Sequence, residues 1–286
     1  MKGNVIVGQS GGPTAAINSS LAGVYRTAKD RGANKVYGML FGIQGLLQER
    51  YIDLSEYITN DLDTELLKRT PAAFLGSCRY KLPEIHENKD VYEKIFSILE
   101  KLDIEAFIYI GGTDSMDTIK KLSDYAIVTG YRTRFIGCPK TIDNDLALTD
   151  HTPGYGSAAK YIGTSVKEII RDSFCLEYGK GLVSIVEIMG RNAGWLTGAA
   201  ALAKGEDCLG PDLIYLPELP FDIEAFSEKV KDLLAKKPSV VVAVSEGIRL
   251  ADGRYVCELG QSVDFVDAFG HKQLSGTANY LASYIA

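Results

Sequence analysis

Lys140, Thr141, Asp143 and Asp145 stand inside six residues, within the stretch Gly137-Cys-Pro-Lys-Thr-Ile-Asp-Asn-Asp-Leu146. Such a segment sets a cation, a hydroxyl and two carboxylates around one small volume. Phosphoryl transfer uses that set: charge neutralisation, an oriented nucleophile and an anchor for a metal ion. The plainer reading is a polar loop whose acids cap a helix or stay solvated. Two acids, a lysine and a threonine in one loop, with a second acidic loop elsewhere, favour a site.

That second loop is Gly111-Gly-Thr-Asp-Ser115, where two glycines lead into the start of a helix. Asp and Ser are ordinary helix caps there. In the functional reading Asp114 holds Mg²⁺ bound to a phosphoryl donor, while Ser115 and nearby N–H groups meet the phosphate oxygens. A third glycine turn, Gly8-Gln-Ser-Gly-Gly-Pro13, joins the first strand to the first helix. Small residues at Gly11 and Gly12 let backbone amides approach a phosphate, and the helix dipole adds to the attraction; a tight turn that binds nothing is the alternative. Neither GxGxxG nor GxxxxGK[ST] occurs in the chain. The same turn matches GxSxG, which would make Ser10 a hydrolase nucleophile, with a later Asp and His271 completing the chain order. Three fixed positions in five are weak support, and no HGGG-like oxyanion motif accompanies them.

These loops need elements to position them. Apolar runs alternate with helical spacing along the whole chain. Asn4–Val7 reads as a strand, Ala15–Arg31 as a helix, Lys35–Leu40 as a strand, and Leu62–Arg69 and Val91–Leu102 as helices. Ala106–Ile110 (strand), Ser115–Leu122 (helix), Phe135–Ile136 (strand) and Tyr155–Arg171 (helix) follow. Then come Leu182–Ile188, Ala193–Ala203, Leu213–Leu216, Ile223–Leu234 and Val240–Val244, again strand and helix in turn. This order predicts an α/β fold with a parallel sheet and helices on both faces. Every polar loop named above follows a predicted strand, on the side where such sheets bind ligands. The loop Asp145–Pro153 is the boundary we expect, giving an α/β lobe over 1–145 and a second over 146–286, closely associated and with a cleft between them.

Composition excludes several classes. The chain has 286 residues, 46% hydrophobic and 24% charged, as in an ordinary globular protein. Its start, Met1-Lys-Gly-Asn-Val-Ile-Val, is too short and too polar for a signal peptide, and no apolar run reaches membrane-span length, so we expect no membrane partner. Five scattered cysteines without CxxC spacing read as reduced cytoplasmic thiols. Three separated histidines offer no zinc signature. A net charge of −6 argues against nucleic acid and means that an anionic substrate must be held by a local cluster of basic groups.

Pro139-Lys-Thr-Ile-Asp-Asn-Asp145, Gly111-Gly-Thr-Asp-Ser115 and Glu187-Ile-Met-Gly-Arg-Asn192 together resemble the phosphofructokinases, in the version of their diphosphate-dependent branch. The resemblance runs from about Val5 to the last residue. It implies two doubly wound, Rossmann-like lobes with the active site in the cleft. It implies transfer of a phosphoryl group from diphosphate to the 1-hydroxyl of fructose 6-phosphate, with Mg²⁺. The alternatives are ATP as donor, or a catalytically silent regulatory or structural chain of the same fold. Asp143 would accept the proton of the attacking hydroxyl, Thr141 would orient it, and Lys140 and Arg191 would complete the catalytic set. Thr141, Asp143, Met189, Gly190, Arg191 and Glu246 would bind the sugar. Gly11, Gly12, Arg79, Gly112, Asp114, Ser115 and Lys140 would bind the donor, and Asp114 and Asp145 the metal.

Donor choice follows from two positions. ATP-dependent members carry glycine where this chain has Asp114 and Lys140. A lysine side chain of ~6 Å takes room that an α-phosphate would need, and Asp114 adds like-charge repulsion. Thr113 stands where the family often has aspartate. Trp195 reads as core and His151 as structural. The resemblance also implies a homo-oligomer. Leu274 to Ile285 has helical spacing but no closing cap, and related chains continue into a basic segment that helps hold the sugar's 6-phosphate. The expectation is a shortened form that binds diphosphate and turns over fructose 6-phosphate poorly.

Overall fold

The computed structural model describes residues 3–176, 179–260 and 274–286. Within it the chain divides into two compact units. The first comprises 1–141, 146–148 and 152–154; the second comprises 142–145, 149–151 and 155–286.

The first unit begins with β1 (Asn4–Gln9), α1 (Ile17–Asp30), β2 (Val36–Met39), α2 (Gly42–Leu47) and β3 (Tyr51–Asp53). It continues with α3 (Asp61–Arg69), α4 (Lys89–Lys101), β4 (Ile104–Gly111), α5 (Thr113–Thr129) and β5 (Arg134–Pro139). Its five-stranded sheet has the order β3-β2-β1-β4-β5. The sheet is parallel except for β3, which pairs antiparallel with β2. The antiparallel edge strand departs from the all-parallel expectation. A three-residue strand joined to β2 by the short helix α2 returns without the long crossover that a parallel neighbour needs.

Alternation along the central strands explains why helices cover both faces. Val5 and Val7 of β1, with Ala106 and Ile110 of β4, join Ile17, Leu21 and Tyr25 of α1 in one core. Ile6, Phe107 and Tyr109 point to the opposite core, filled by Ile95, Phe96 and Leu99 of α4 and Leu122 and Tyr125 of α5. Strands buried on both sides read as unbroken apolar runs. α3 starts on a real cap, since Asn60 Oδ1 accepts the amide of Asp63 at 3.0 Å.

The second unit contains α6 (Tyr155–Phe174), β6 (Leu182–Ile188), α7 (Trp195–Gly198), β7 (Leu213–Tyr215), α8 (Ile223–Leu234), β8 (Ser239–Ser245) and α9 (Thr277–Ile285). Its parallel three-stranded sheet has the order β6-β8-β7. β8 is its centre. Val240, Val242 and Val244 face Phe226 and Val230 of α8 and Leu281 of α9. Ala243 faces Val166 of α6 and Leu196 of α7 on the other side. Asp222 caps α8 by accepting the amides of Glu224 and Ala225, each at 3.0 Å. The helix expected over Ala193–Ala203 is one α turn followed by a 3₁₀ segment, Ala199–Ala203. Among the described residues no helix is long and apolar enough to cross a membrane.

Candidate functional site

In the first unit the order of strands reverses at β1, with β2 on one side and β4 on the other. In open α/β sheets the crevice at such a reversal is where ligands bind. Three expected segments converge there. The β1 turn takes Gly11 through φ +76°, a conformation glycine adopts at little cost. The Gly11 amide donates to the Cys78 carbonyl at 3.3 Å, the Ser77 hydroxyl donates to the Gly11 carbonyl at 2.5 Å, and the Ser10 hydroxyl donates to the Cys78 carbonyl at 3.3 Å. Ser10 is thus buried and turned into the scaffold rather than presented as a nucleophile. His271, its suggested partner, lies outside the described residues.

Lys140 closes this site from the end of β5. Its amide donates to the Gly111 carbonyl at 2.9 Å, and its ammonium donates to the Gly12 carbonyl at 2.5 Å. Only 3% of Lys140 is exposed. A Cβ on Gly11 would stand 3.2 Å from the Lys140 Nζ, so the turn and the lysine occupy neighbouring space. At the β4 end a Cβ on Gly111 would fall 2.0 Å from Ser115 Oγ, which explains a glycine there without reference to a ligand. α5 opens on Gly112 with no side-chain cap. Ser115 is buried, Asp114 half-buried in the first turn, and Arg79 exposed just beyond Cys78. Thr141 is 8% exposed, and its carbonyl accepts the Thr152 hydroxyl at 2.8 Å.

In the second unit the ends of β6 and β8 lie side by side, Ile188 in register with Ser245. They bring Met189, Gly190, Arg191 and Glu246 together. The Gly190 amide donates to Glu246 Oε1 at 3.2 Å, and the Ser245 hydroxyl donates to the Gly190 carbonyl at 2.6 Å while accepting the Gly247 amide at 3.0 Å. A Cβ on Gly247 would meet the Arg191 carbonyl oxygen at 2.1 Å. Glu246 is held above the usual carboxylate range, first by burial and then by the charges of Glu187 and Asp143, against the pull of the Gly190 amide and Arg191. Among the described residues the buried Nε of Arg191 has no hydrogen-bond partner, a costly state for a charged group. Asp143 is half-buried in this neighbourhood, and Asp145 is exposed. Met189 is exposed.

Trp195 corrects an expectation. It is 55% exposed rather than core. α7 is so short that only Leu196 and Thr197 turn inward, which leaves the residue before them outside. Its ring lies edge-on to Tyr155 at 6.3 Å, and Tyr155 lies edge-on to His151 at 5.6 Å. Sequence reasoning missed Glu187 as a structural partner; its carboxylate accepts the amides of Gly276 at 3.2 Å and Ala278 at 2.8 Å. It missed the Ser77–Cys78 support of the β1 turn for the same reason, since those bonds span more than sixty positions. Among the described residues no group of three His, Cys, Asp or Glu is arranged to hold a metal ion.

The first unit carries glycine turns and a buried lysine at its strand-order reversal, and the second carries polar residues at the ends of its parallel strands, as in α/β proteins. The phosphofructokinase family model matches residues 4–286, and the chain belongs to that family. It is 43% identical over 283 residues to the pyrophosphate–fructose 6-phosphate 1-phosphotransferase of Xanthomonas campestris pv. campestris (strain B100), covering 99% of this chain and 66% of the relative. It is 42% identical over 286 residues to the enzyme of the same name from Halomonas elongata, covering 99% and 66%. The crystal structure of the pyrophosphate-dependent phosphofructokinase from Marinobacter aquaeolei superposes with a TM-score of 0.81 at 37% identity, covering 99% of this chain and 64% of that one. The chain therefore spans slightly less than two thirds of the length of these relatives.

Proposed function

We propose that the chain carries the phosphoryl-transfer chemistry of a diphosphate-dependent 6-phosphofructokinase, moving a phosphoryl group from diphosphate to the 1-hydroxyl of fructose 6-phosphate. The observation that carries the donor assignment is the buried Lys140 ammonium seated on the Gly12 carbonyl beside Gly11. A cation there neutralises the terminal phosphates and occupies room that a nucleotide's α-phosphate would need. The names of the relatives support the same reading.

On the donor side the amides around Gly11, Gly12 and Gly112, the Ser115 hydroxyl, the half-buried Asp114 and the exposed Arg79 would grip diphosphate. On the sugar side Met189, Gly190 and Arg191 would form a wall and Glu246 would accept hydrogen bonds from hydroxyls. Asp143 would take the proton of the attacking hydroxyl, and Thr141 would orient that hydroxyl. A divalent cation such as Mg²⁺ takes only one or two carboxylates when phosphates and water complete its shell, and Asp114 and Asp145 are the carboxylates that would be offered to it. When bound, it would neutralise charge on the donor phosphates. Cytoplasmic location and assembly into a homo-oligomer belong to the same proposal. The test is a coupled assay on the whole chain with diphosphate and with ATP. Turnover of fructose 6-phosphate with diphosphate favoured supports the reading, and failure with diphosphate overturns it.

A further inference from the structure

Glu187 lies at the end of β6, two residues before Met189, and has no role in the chemistry above. Both of its oxygens are used by the start of α9: Oε1 accepts the Gly276 amide at 3.2 Å and Oε2 accepts the Ala278 amide at 2.8 Å. Gly276 precedes the helix in a left-handed conformation, at φ +94°. A second bond runs from the same helix turn, the Thr277 hydroxyl donating to the Glu246 carbonyl at 3.1 Å. The circuit closes through the Glu246 amide on the Ile188 carbonyl at 3.0 Å and the Gly190 amide on Glu246 Oε1 at 3.2 Å. The Glu187 carboxylate and the Thr277 hydroxyl together therefore join the first turn of α9 to the two strand-end segments that carry Met189, Gly190, Arg191 and Glu246. Charge-assisted bonds to helix N-terminal amides are among the stronger ones available to a carboxylate.

We infer that Glu187 is a positioning residue for the sugar pocket, clasping the N-terminus of α9 so that the Met189–Arg191 loop and Glu246 hold one geometry. The inference rests on the sugar-side reading above. It makes α9, remote in sequence, part of the support for substrate binding. A merely structural role would affect both substrates alike, whereas a positioning role weakens the sugar alone. The charge of Glu187 gives a second signature. Glu246 is faced by Glu187, Asp143, Arg191 and the Gly190 amide. Removing the Glu187 charge lowers the proton affinity of Glu246, so the acid limb of sugar binding moves to lower pH.

The experiment uses the whole chain with Glu187→Gln, Glu187→Ala and Glu187→Asp. The expected result for Glu187→Gln is a rise of about tenfold in KM for fructose 6-phosphate, with KM for diphosphate unchanged within about twofold. Its acid limb in KM against pH moves to lower pH, whereas Glu187→Asp, which keeps the charge, leaves that limb in place. Glu187→Ala gives the larger rise in KM. Unchanged KM for the sugar, or equal rises for both substrates, overturns the proposal. Amide hydrogen exchange is measured in parallel on the wild type and on Glu187→Gln. Faster exchange at residues 189–191 and 246–247, as well as at Gly276 and Ala278, supports the clasp. Change confined to Gly276 and Ala278 overturns it. This arm reads the clasp even where the wild type turns over neither donor, an outcome that refutes the proposed activity alone.

Discussion

The ammonium of Lys140 donates to the carbonyl of Gly12 across 128 positions of sequence, at 2.5 Å. That bond places the cation inside the glycine turn instead of out in solvent. Under the proposed function, a cation so placed would meet the terminal phosphates of diphosphate. Replacing both Lys140 and Asp114 by glycine should shift the ratio of kcat/KM for diphosphate over kcat/KM for ATP toward ATP, while weakening diphosphate use. Equal values for the two donors in the wild type would defeat the donor assignment.

Asp143→Asn keeps the shape of the side chain and removes its proton acceptor. We expect kcat to fall by about 10²-fold or more, with substrate affinity little changed. A variant with near-normal kcat would move the base elsewhere, and Asp145 would be tested next.

Glu246 binds its proton more tightly in the folded chain than its ordinary value of 4.5, burial being the main cause. The folded state then holds more protons than the unfolded one just above that pH. Stability from this group is present below about pH 4.5 and is lost as pH rises through the higher folded value. Glu246→Gln should therefore melt above the wild type at pH 7–8, and the gap should close near pH 4, as read by thermal unfolding across pH. A gap that stays constant with pH would refute the electrostatic account.

Lys121 fixes the segment that follows Arg79. Its ammonium donates to the Leu82 carbonyl at 3.1 Å and pairs with Glu84 and Asp117, each at 2.8 Å. Burial lowers its proton affinity, but the bonds to Asp117 and Glu84 raise it by more. With only 13% of its side chain exposed, Lys121→Met should cost about 1–3 kcal/mol and raise KM for diphosphate through the loosened Arg79 loop. Denaturant unfolding and steady-state kinetics would check the two effects separately.

Gly247→Ala tests the other strand end. The added methyl would need the Arg191 backbone to move, because the carbonyl oxygen stands 2.1 Å from it. The expected result is a loss of about 1–3 kcal/mol and weaker sugar binding. Unchanged KM for fructose 6-phosphate would show that the Arg191 position is not limiting.

Legibility in the sequence followed physical rules. Val5–Val7, Ala106–Ile110 and Val240–Val244 were readable as strands because both of their faces are covered, leaving unbroken apolar runs. α2 was not. Gly42 and Gly45 look like helix breakers, yet a Cβ on Gly45 would fall 1.5 Å from the Leu40 carbonyl oxygen, so the close return of the chain selects glycine inside a helix. Lys140 to Asp145 stand out as a candidate set in the sequence because they adjoin there. The contacts of Ser245 and Glu187 span 55 and 91 positions, and nothing local announces a partner at that distance. Trp195 was misread because helical spacing does not reveal that α7 ends after one turn.

The central strand β8 has a further consequence for the unfolded chain. Val240-Val-Val-Ala-Val244 is buried in the native sheet between β6 and β7 and carries neither charge nor proline. Released from that sheet, it is the kind of segment that stacks with copies of itself into cross-β aggregates. Lys236, Lys237 and Pro238 stand immediately before the strand, and Glu246 stands immediately after it. Charges and a proline at those borders act as gatekeepers, interrupting any extension of the stack beyond the strand. Refolding yield should thus depend on concentration, and neutralising the exposed Lys236 should lower it while leaving the native fold intact.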